Sequence, residues 1–300
     1  MLDKYLLGSS SRISLEAPVP IVEVEHEKNI LGGSGNVISN LNGLGVNFIP
    51  FGLIGEDING KLILDLLKGF NSNIEGIFYK NETTVKTRLI ANNQQIARID
   101  WESKIIEDGV SLEYENFLND NLEKSNAVII SDYNKGFCSQ ELAQFIIESS
   151  NEKSIPVFVD PKGQNYHKYE GANFIKPNQY EAQMVTPFKL ISDEDYINSA
   201  EYIREKFKIK TCIITLGERG MIYSSDSVTE KIDTVAKKVY DVSGAGDTVI
   251  ATLASFISIG VNPLLATKIA NVAAGTVISY SGTYPINIEL LNKATKENNL

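Results

Sequence analysis

The sequence predicts an α/β protein built on a buried, mostly parallel sheet, with a small β-sheet appendage. Three observations carry this. Short apolar runs rich in β-branched residues alternate with helix-patterned stretches through the C-terminal two-thirds of the chain. Two stretches nearer the N-terminus alternate apolar and polar residues instead. The length, 300 residues, is large for one compact core and small for two, which suits a single large domain over 1–300 carrying an appendage.

The first alternating stretch is 13–24, with Pro18 and Pro20 inside it and Pro50 further on. The second is 74–101, where Thr83-Thr84-Val85-Lys86-Thr87-Arg88-Leu89-Ile90 is typical. Both predict antiparallel strands with one polar face, in a small lid over about 11–30 and 74–102. Between them, 35–44 has helical spacing and 47–53 reads as a further strand. The runs at 127–131, 156–160, 173–176 and 211–215 are four to six residues long and end in polar, Gly or Pro residues. With helices expected over 140–149 and 193–207, they predict right-handed βαβ units and a parallel sheet. Ligands of such sheets collect at the C-terminal strand ends, here Ser131-Asp132, Asp160-Pro161-Lys162, Asn178 and Gly217. The run 249–259 has a helical pattern, and the polar 293–300 is expected to fray.

Composition removes several classes. Hydrophobic residues at 43% and charged residues at 22% exclude disordered and fibrous chains. No apolar run approaches a membrane span, and Met1-Leu2-Asp3-Lys4-Tyr5 does not open a signal peptide, so a cytoplasmic protein without membrane partners is expected. Cys138 and Cys212 form no C-x-x-C pair and read as small buried hydrophobes. A net charge of −10 without a basic stripe argues against a nucleic-acid partner. An anionic small substrate is still permitted, because the local field of a cleft can oppose the net charge.

Three segments carry chemistry. In Asp241-Val242-Ser243-Gly244-Ala245-Gly246-Asp247, the residues Gly244, Ala245 and Gly246 bring backbone N–H groups to a helix N-terminus and form an anion-binding nest, with the Asp247 carboxylate beside it. That pairing suits phosphoryl transfer, with the nest stabilising charge and Asp247 taking the attacking hydroxyl's proton. The same residues also suit a simple capped turn. In Gly32-Gly33-Ser34-Gly35-Asn36, close backbone approach and an amide suit sugar hydroxyls, and a plain glycine turn fits equally. In Lys176-Pro177-Asn178-Gln179-Tyr180-Glu181, Asn178 and Glu181 can reach one site, with Glu181 touching Mg²⁺ through water, or can form an ordinary helix cap. There is no G-x-x-x-x-G-K-[ST] loop and no G-x-G-x-x-G fingerprint at either glycine segment. His26 and His167, the only histidines, lack metal-ligand spacing and any G-x-S-x-G partner.

In this order the segments resemble the ribokinase-like (pfkB) family of carbohydrate kinases, essentially from end to end. Gly32–Asn36 looks like its N-terminal glycine signature and Asp241–Asp247 like its C-terminal signature. Within the family the sequence is most similar to the D-glycero-β-D-manno-heptose-7-phosphate kinases, often fused to an adenylyltransferase. The pointers are Met1-Leu2-Asp3-Lys4-Tyr5, Ser11-Arg12-Ile13-Ser14-Leu15-Glu16-Ala17-Pro18-Val19-Pro20, Asn93-Gln94-Gln95-Ile96-Ala97-Arg98-Ile99-Asp100, Ser131-Asp132-Tyr133-Asn134-Lys135-Gly136 and Val159-Asp160-Pro161-Lys162-Gly163.

The resemblance implies a ribokinase-like three-layer sandwich with a β-sheet lid. It also implies ATP- and Mg²⁺-dependent phosphorylation of the heptose phosphate at O1, feeding ADP-heptose for lipopolysaccharide. Asp247 takes the base position. Asp3, Gly32, Gly33 and Asn36 are implied to meet the sugar. Arg98 and Lys135 are expected near the substrate phosphate, Arg98 in bidentate fashion, although packing roles for both stay open. Lys162, Asn178, Thr215, Gly217, Gly220 and Asn271 fall where the nucleotide binds, and Glu181 near Mg²⁺. Dimerisation through the lid is expected.

Two departures stand out. Family chains usually place an apolar strand ending in Gly-Asp before the Met-Leu-Asp segment, and here Met1 opens the sequence at that point, so this strand is expected to be absent. The sequence ends with the kinase region, so the adenylyl step is expected to fall to a separate protein. Another sugar or sugar-phosphate kinase, or a non-catalytic sensor on the same fold, are the alternative readings.

Overall fold

The computed structural model describes residues 1–80, 82–102, 109–236, 239–280 and 282–300. Asn81, inside the expected lid stretch 74–102, lies outside the described residues. The chain forms two compact units, Met1–Gly35 with Ile49–Ile105, and Asn36–Phe48 with Ile106–Leu300.

The first unit is built on β1 (Leu2–Ile13) and β2 (Pro20–Leu31). The chain then enters helix α1 (Ser34–Gly43), whose residues from Asn36 onward belong to the second unit. It returns through β3 (Gly52–Ile54), α2 (Ile58–Lys68), β4 (Ile77–Tyr79), β5 (Val85–Ala91) and β6 (Gln94–Trp101). The four-stranded sheet has the order β2-β1-β5-β6, and β3 and β4 form a separate parallel pair.

Three expectations are corrected here. The stretch 13–24 is not one strand: β1 ends at Ile13, and 14–19 is a turn closed by Ser14 N–H donating to Val19 O at 2.9 Å. The reason is the prolines, which lack the donor a ladder needs, so Pro18 sits in the turn and Pro20 opens β2. The sheet is also not wholly antiparallel, because β1 runs parallel to β5 while pairing antiparallel with β2. In 47–53 only Gly52 onward pairs, since Pro50 removes an amide from the run. The β5–β6 hairpin turns on Asn92 and Asn93, with φ of 51° and 63°, the left-handed pair that a two-residue turn requires.

The second unit contains α3 (Leu112–Leu122), β7 (Val128–Ser131), α4 (Gln140–Glu152), β8 (Val157–Asp160), β9 (Phe174–Ile175), α5 (Gln179–Val185), α6 (Asp193–Lys206), β10 (Thr211–Thr215), β11 (Met221–Ser225), β12 (Thr229–Ile232), α7 (Ala245–Ser258), α8 (Pro263–Val277) and α9 (Ile288–Glu297). Its sheet order is β12-β11-β10-β9-β8-β7. From β7 to β10 the neighbours are parallel; β11 and β12 add antiparallel edges. Val157, Phe158 and Val159 are consecutive and each 0% exposed, so helices cover both faces of the sheet. One face packs Phe158, Phe174, Ile213 and Tyr223 against Val249, Leu253, Ala266 and Ala270 of α7 and α8. The expected mostly parallel α/β architecture is what forms.

The C-terminal end differs from expectation. Instead of fraying from 293, α9 runs to Glu297, capped by Asn287 and held by buried Leu291 against Ile269, Ala273 and Val277. Among the described residues, no helix is long and apolar enough to cross a membrane.

Candidate active site

Parallel neighbours bring their C-terminal ends to one edge, and three of these ends converge in the second unit. Ser131 pairs with Asp160, and Val159 with Ile175, so Tyr133, Asp160 and Lys176 emerge side by side. Lys176 is 3% exposed and its ammonium meets Asp160 Oδ1 at 2.9 Å. Burial pulls the Lys176 pKa down, but the carboxylates, Asp160 first, outweigh it and hold it above its ordinary value. Burial likewise pushes Asp160 up, against the pull of Lys176.

Helix α7 delivers the glycine segment to this edge. Gly244 caps it with φ of 79°, a left-handed conformation, and a Cβ there would lie 2.5 Å from Asn36 Nδ2. A Cβ on Gly246 would lie 3.1 Å from Lys176 Nζ. The missing side chain at 246 thus lets the N-terminus of a helix lie close against a buried cation, a pairing that suits a phosphate group. Asp247, in the first turn, is 7% exposed. Its Oδ2 accepts from Asn36 Nδ2 at 2.8 Å and its Oδ1 from Tyr133 Oη at 2.9 Å. Burial, with the Asp160 charge adding to it, raises its pKa from 3.8 to about 6, against Asn36, Tyr133 and Lys176, which favour the carboxylate. Asn40, 0% exposed, ties α1 to α7: its amide donates to the backbone Asn36 O at 2.8 Å and its oxygen accepts from Thr248 Oγ1 at 2.9 Å.

The residues expected at the nucleotide form two groups. In one, Lys162 Nζ donates to Glu181 Oε1 at 2.8 Å, and Asn178 bridges Thr215 at the end of β10. Asn178 and Glu181 make a reciprocal helix cap on α5: Asn178 Oδ1 accepts from Glu181 N at 3.0 Å, and Glu181 Oε2 from Asn178 N at 2.9 Å. Both Glu181 oxygens therefore have protein partners, which fits a divalent ion touching it through water better than direct ligation. In the other group, Gly217 and Gly220 have φ of 61° and 84°, and a Cβ on Gly220 would lie 2.0 Å from Ile232 O. Asn271, 5% exposed, donates to Asp233 O at 2.8 Å, next along the chain from Ile232.

In the first unit, Asp3 is 6% exposed and Gly32 lies against it, since a Cβ there would come 2.6 Å from the Asp3 carboxyl carbon. Gly33 has φ of 59°. Arg88, a residue the sequence reading did not single out, forms an ion pair with Asp3 at 3.1 Å. Arg98 is cross-strand from Arg88 but exposed, and grips Asp100 through two bonds of 2.9 and 3.0 Å. Lys135 lies in the bend after β7, in the second unit. Tyr133, Asp160, Lys176 and Arg88 were missed as site residues. Lys176 opened a segment already marked as chemical, Asp160 stood at a predicted strand end where ligands collect, and Tyr133 lay in the Ser131–Gly136 segment that carries the resemblance, which were the available signals.

Comparison with known proteins identifies the fold and the family. A protein of Aliarcobacter butzleri named Bifunctional protein HldE is 40% identical over 289 residues, covering 94% of this chain and 60% of that protein. The Helicobacter pylori protein of the same name is 38% identical over 293 residues, covering 96% and 63%. This chain thus spans roughly three-fifths of the length of these curated relatives. Among solved structures, Arabidopsis thaliana ribokinase complexed with ribose and ATP superposes with a TM-score of 0.77 at 18% identity, over 98% of this chain and 96% of that one. Escherichia coli phosphofructokinase-2 in complex with potassium gives 0.80 at 17%, over 100% and 96%. At such identities the likeness establishes the fold. The pfkB family carbohydrate kinase pattern matches residues 5–289, and the chain belongs to that family of sugar-phosphorylating enzymes.

Proposed function

We propose that the chain transfers the γ-phosphoryl group of ATP to O1 of D-glycero-β-D-manno-heptose 7-phosphate, giving the 1,7-bisphosphate for ADP-heptose and lipopolysaccharide synthesis. The observation that carries the reading is Asp247: a buried carboxylate, held by Asn36 and Tyr133, on a glycine-led helix N-terminus that lies against Lys176. In this reading the sugar hydroxyl oxygen forms the new bond to phosphorus, the bond to ADP breaks, and the hydroxyl proton passes to Asp247. The α7 N-terminus and Lys176 stabilise the charge spread over the moving group. Asp3, Gly32, Gly33 and Asn36 hold sugar hydroxyls, and Arg98 and Lys135 the substrate phosphate. Lys162, Asn178, Thr215, Gly217, Gly220 and Asn271 line the nucleotide. Mg²⁺, touched through water by Glu181, would offset phosphate charge. The heptose assignment draws on the relatives named HldE.

We also propose that the first unit serves as the lid and joins two copies. Ile13, Val24, Ile99 and Trp101 on its strands are each at least half exposed, and a second copy would cover such side chains.

The test is ADP release with MgATP and a sugar panel: the heptose 7-phosphate, its unphosphorylated form, fructose 6-phosphate and ribose. Selective turnover of the heptose phosphate is expected. Turnover of another sugar keeps the kinase and removes the heptose; none at all removes the catalytic reading.

A further inference from the structure

Tyr133 reaches Asp247 from a loop, 132–139, that would ordinarily be a poor platform for a catalytic geometry. Here both ends of that loop are tied to one buried side chain. Lys168 donates to Asp132 Oδ2 at the start of the loop and to Cys138 O at 3.2 Å near its end. Asp132, 6% exposed, also accepts from Tyr169 Oη at 2.6 Å and, on its other oxygen, from Asn134 N at 2.6 Å. Lys168 is 8% exposed and Tyr169 is 0% exposed; burial, with Asp132 adding to it, holds the Tyr169 phenol well above its ordinary pKa, so it remains a donor. Tyr169 Oη in turn accepts from Lys162 N at 3.3 Å, tying the segment after β8 to the same cluster.

A buried ion pair is a poor source of net stability against an apolar replacement, yet it is strongly directional. Asp132 directly precedes Tyr133 in the chain. Building on the base role of Asp247, we infer that Tyr133 is a positioning residue for that carboxylate and that the buried Asp132–Lys168–Tyr169 cluster is the brace that aims it. The groups facing Asp247 are then Asn36 from α1, Tyr133 from the braced loop, and Asp160 and Lys176 from the ends of β8 and β9.

The test reads the ionisation of Asp247 in two ways. In Tyr133→Phe the carboxylate loses one donor, so the acid limb of kcat against pH should move up by about one unit, the worth of a hydrogen bond to a charged group, with KM for ATP unchanged. Tyr169→Phe, which leaves the Lys168–Asp132 pair in place, should move the limb the same way by less. It should add nothing further in the Tyr133→Phe background, because both changes act through one contact. Lys168→Met should give the larger shift, and Tyr169→Phe keeps the test open if that variant does not fold. A Tyr169→Phe variant that only lowers Tm and leaves the limb in place overturns the brace. So does additivity of the two changes. Independently of turnover, the pH dependence of the stability difference between the parent and Asp247→Asn reports the Asp247 pKa. If Tyr133→Phe leaves that pKa unchanged, the positioning role is overturned even with the base role intact. If Asp247→Asn keeps full turnover, the base role fails on its own, whatever the stability titration shows for Tyr133.

Discussion

Replacing Asp247 by asparagine should make the protein both inactive and more stable. The substitution keeps the shape, and it can keep both hydrogen bonds: the new amide oxygen accepts from Asn36 Nδ2, and the new amide nitrogen donates to Tyr133 Oη, whose hydroxyl rotates to accept. What disappears is the proton acceptor, a loss of ~10²–10⁴ in kcat. What also disappears is a buried charge. The folded-state pKa of Asp247 is raised from 3.8 to about 6, so the native protein binds the proton more tightly than the unfolded chain does. Stability from this group is therefore present below pH 3.8 and declines as pH rises through about 6. The shift of roughly two units corresponds to about 3 kcal/mol at neutral pH, removed in the asparagine variant. At the entropy of unfolding expected for a chain this long, Tm at pH 7.5 should rise by roughly 5 °C, and the gain should vanish near pH 4. The assays are coupled ADP release and thermal unfolding from pH 4 to 8. Near-parental kcat would falsify the base role. Equal or lower stability at pH 7.5 would refute the claim that burial opposes the charge.

Four further outcomes follow from the geometry. In the parent enzyme kcat should fall as pH drops through about 6, because protonated Asp247 cannot accept the hydroxyl proton; a flat profile to pH 5 contradicts this. Gly246→Ala places a methyl 3.1 Å from Lys176 Nζ and displaces that cation from the α7 N-terminus, so kcat should drop on the order of 10²-fold with the fold retained by circular dichroism. Gly220→Ala meets Ile232 O at 2.0 Å with φ at 84°, and denaturant titration should show a loss of more than ~2 kcal/mol. Arg98→Ala should raise KM for phosphorylated sugars more than for unphosphorylated ones, and equal effects would remove Arg98 from the phosphate.

The sequence was most informative where chemistry is local. Asp241–Asp247 showed its glycine turn and helix-borne carboxylate directly, because the nest and its neighbour are built from consecutive residues. The parallel strands were legible because burial on both faces leaves uninterrupted apolar runs such as Val157, Phe158 and Val159. The N-terminal sheet was harder to read. Strand β1 carries Lys4, Ser9 and Arg12 among its apolar residues, two register shifts break its alternation, and its parallel pairing with β5 joins residues more than eighty positions apart. The last helix was hidden by its polar composition, since one buried leucine and its neighbours decide it.

Sequence by itself determined the fold class and the family and singled out the carboxylate proposed as proton acceptor, since periodicity and consecutive backbone geometry are properties of short segments. Only the tertiary structure decided which groups set that acceptor's charge and aim. Asn36 and Tyr133 stand 211 and 114 positions from Asp247, and Lys168 stands 36 from Asp132. Hydrogen bonds and ion pairs act over a few ångströms of space, and those ångströms exist only after the strands have been laid side by side.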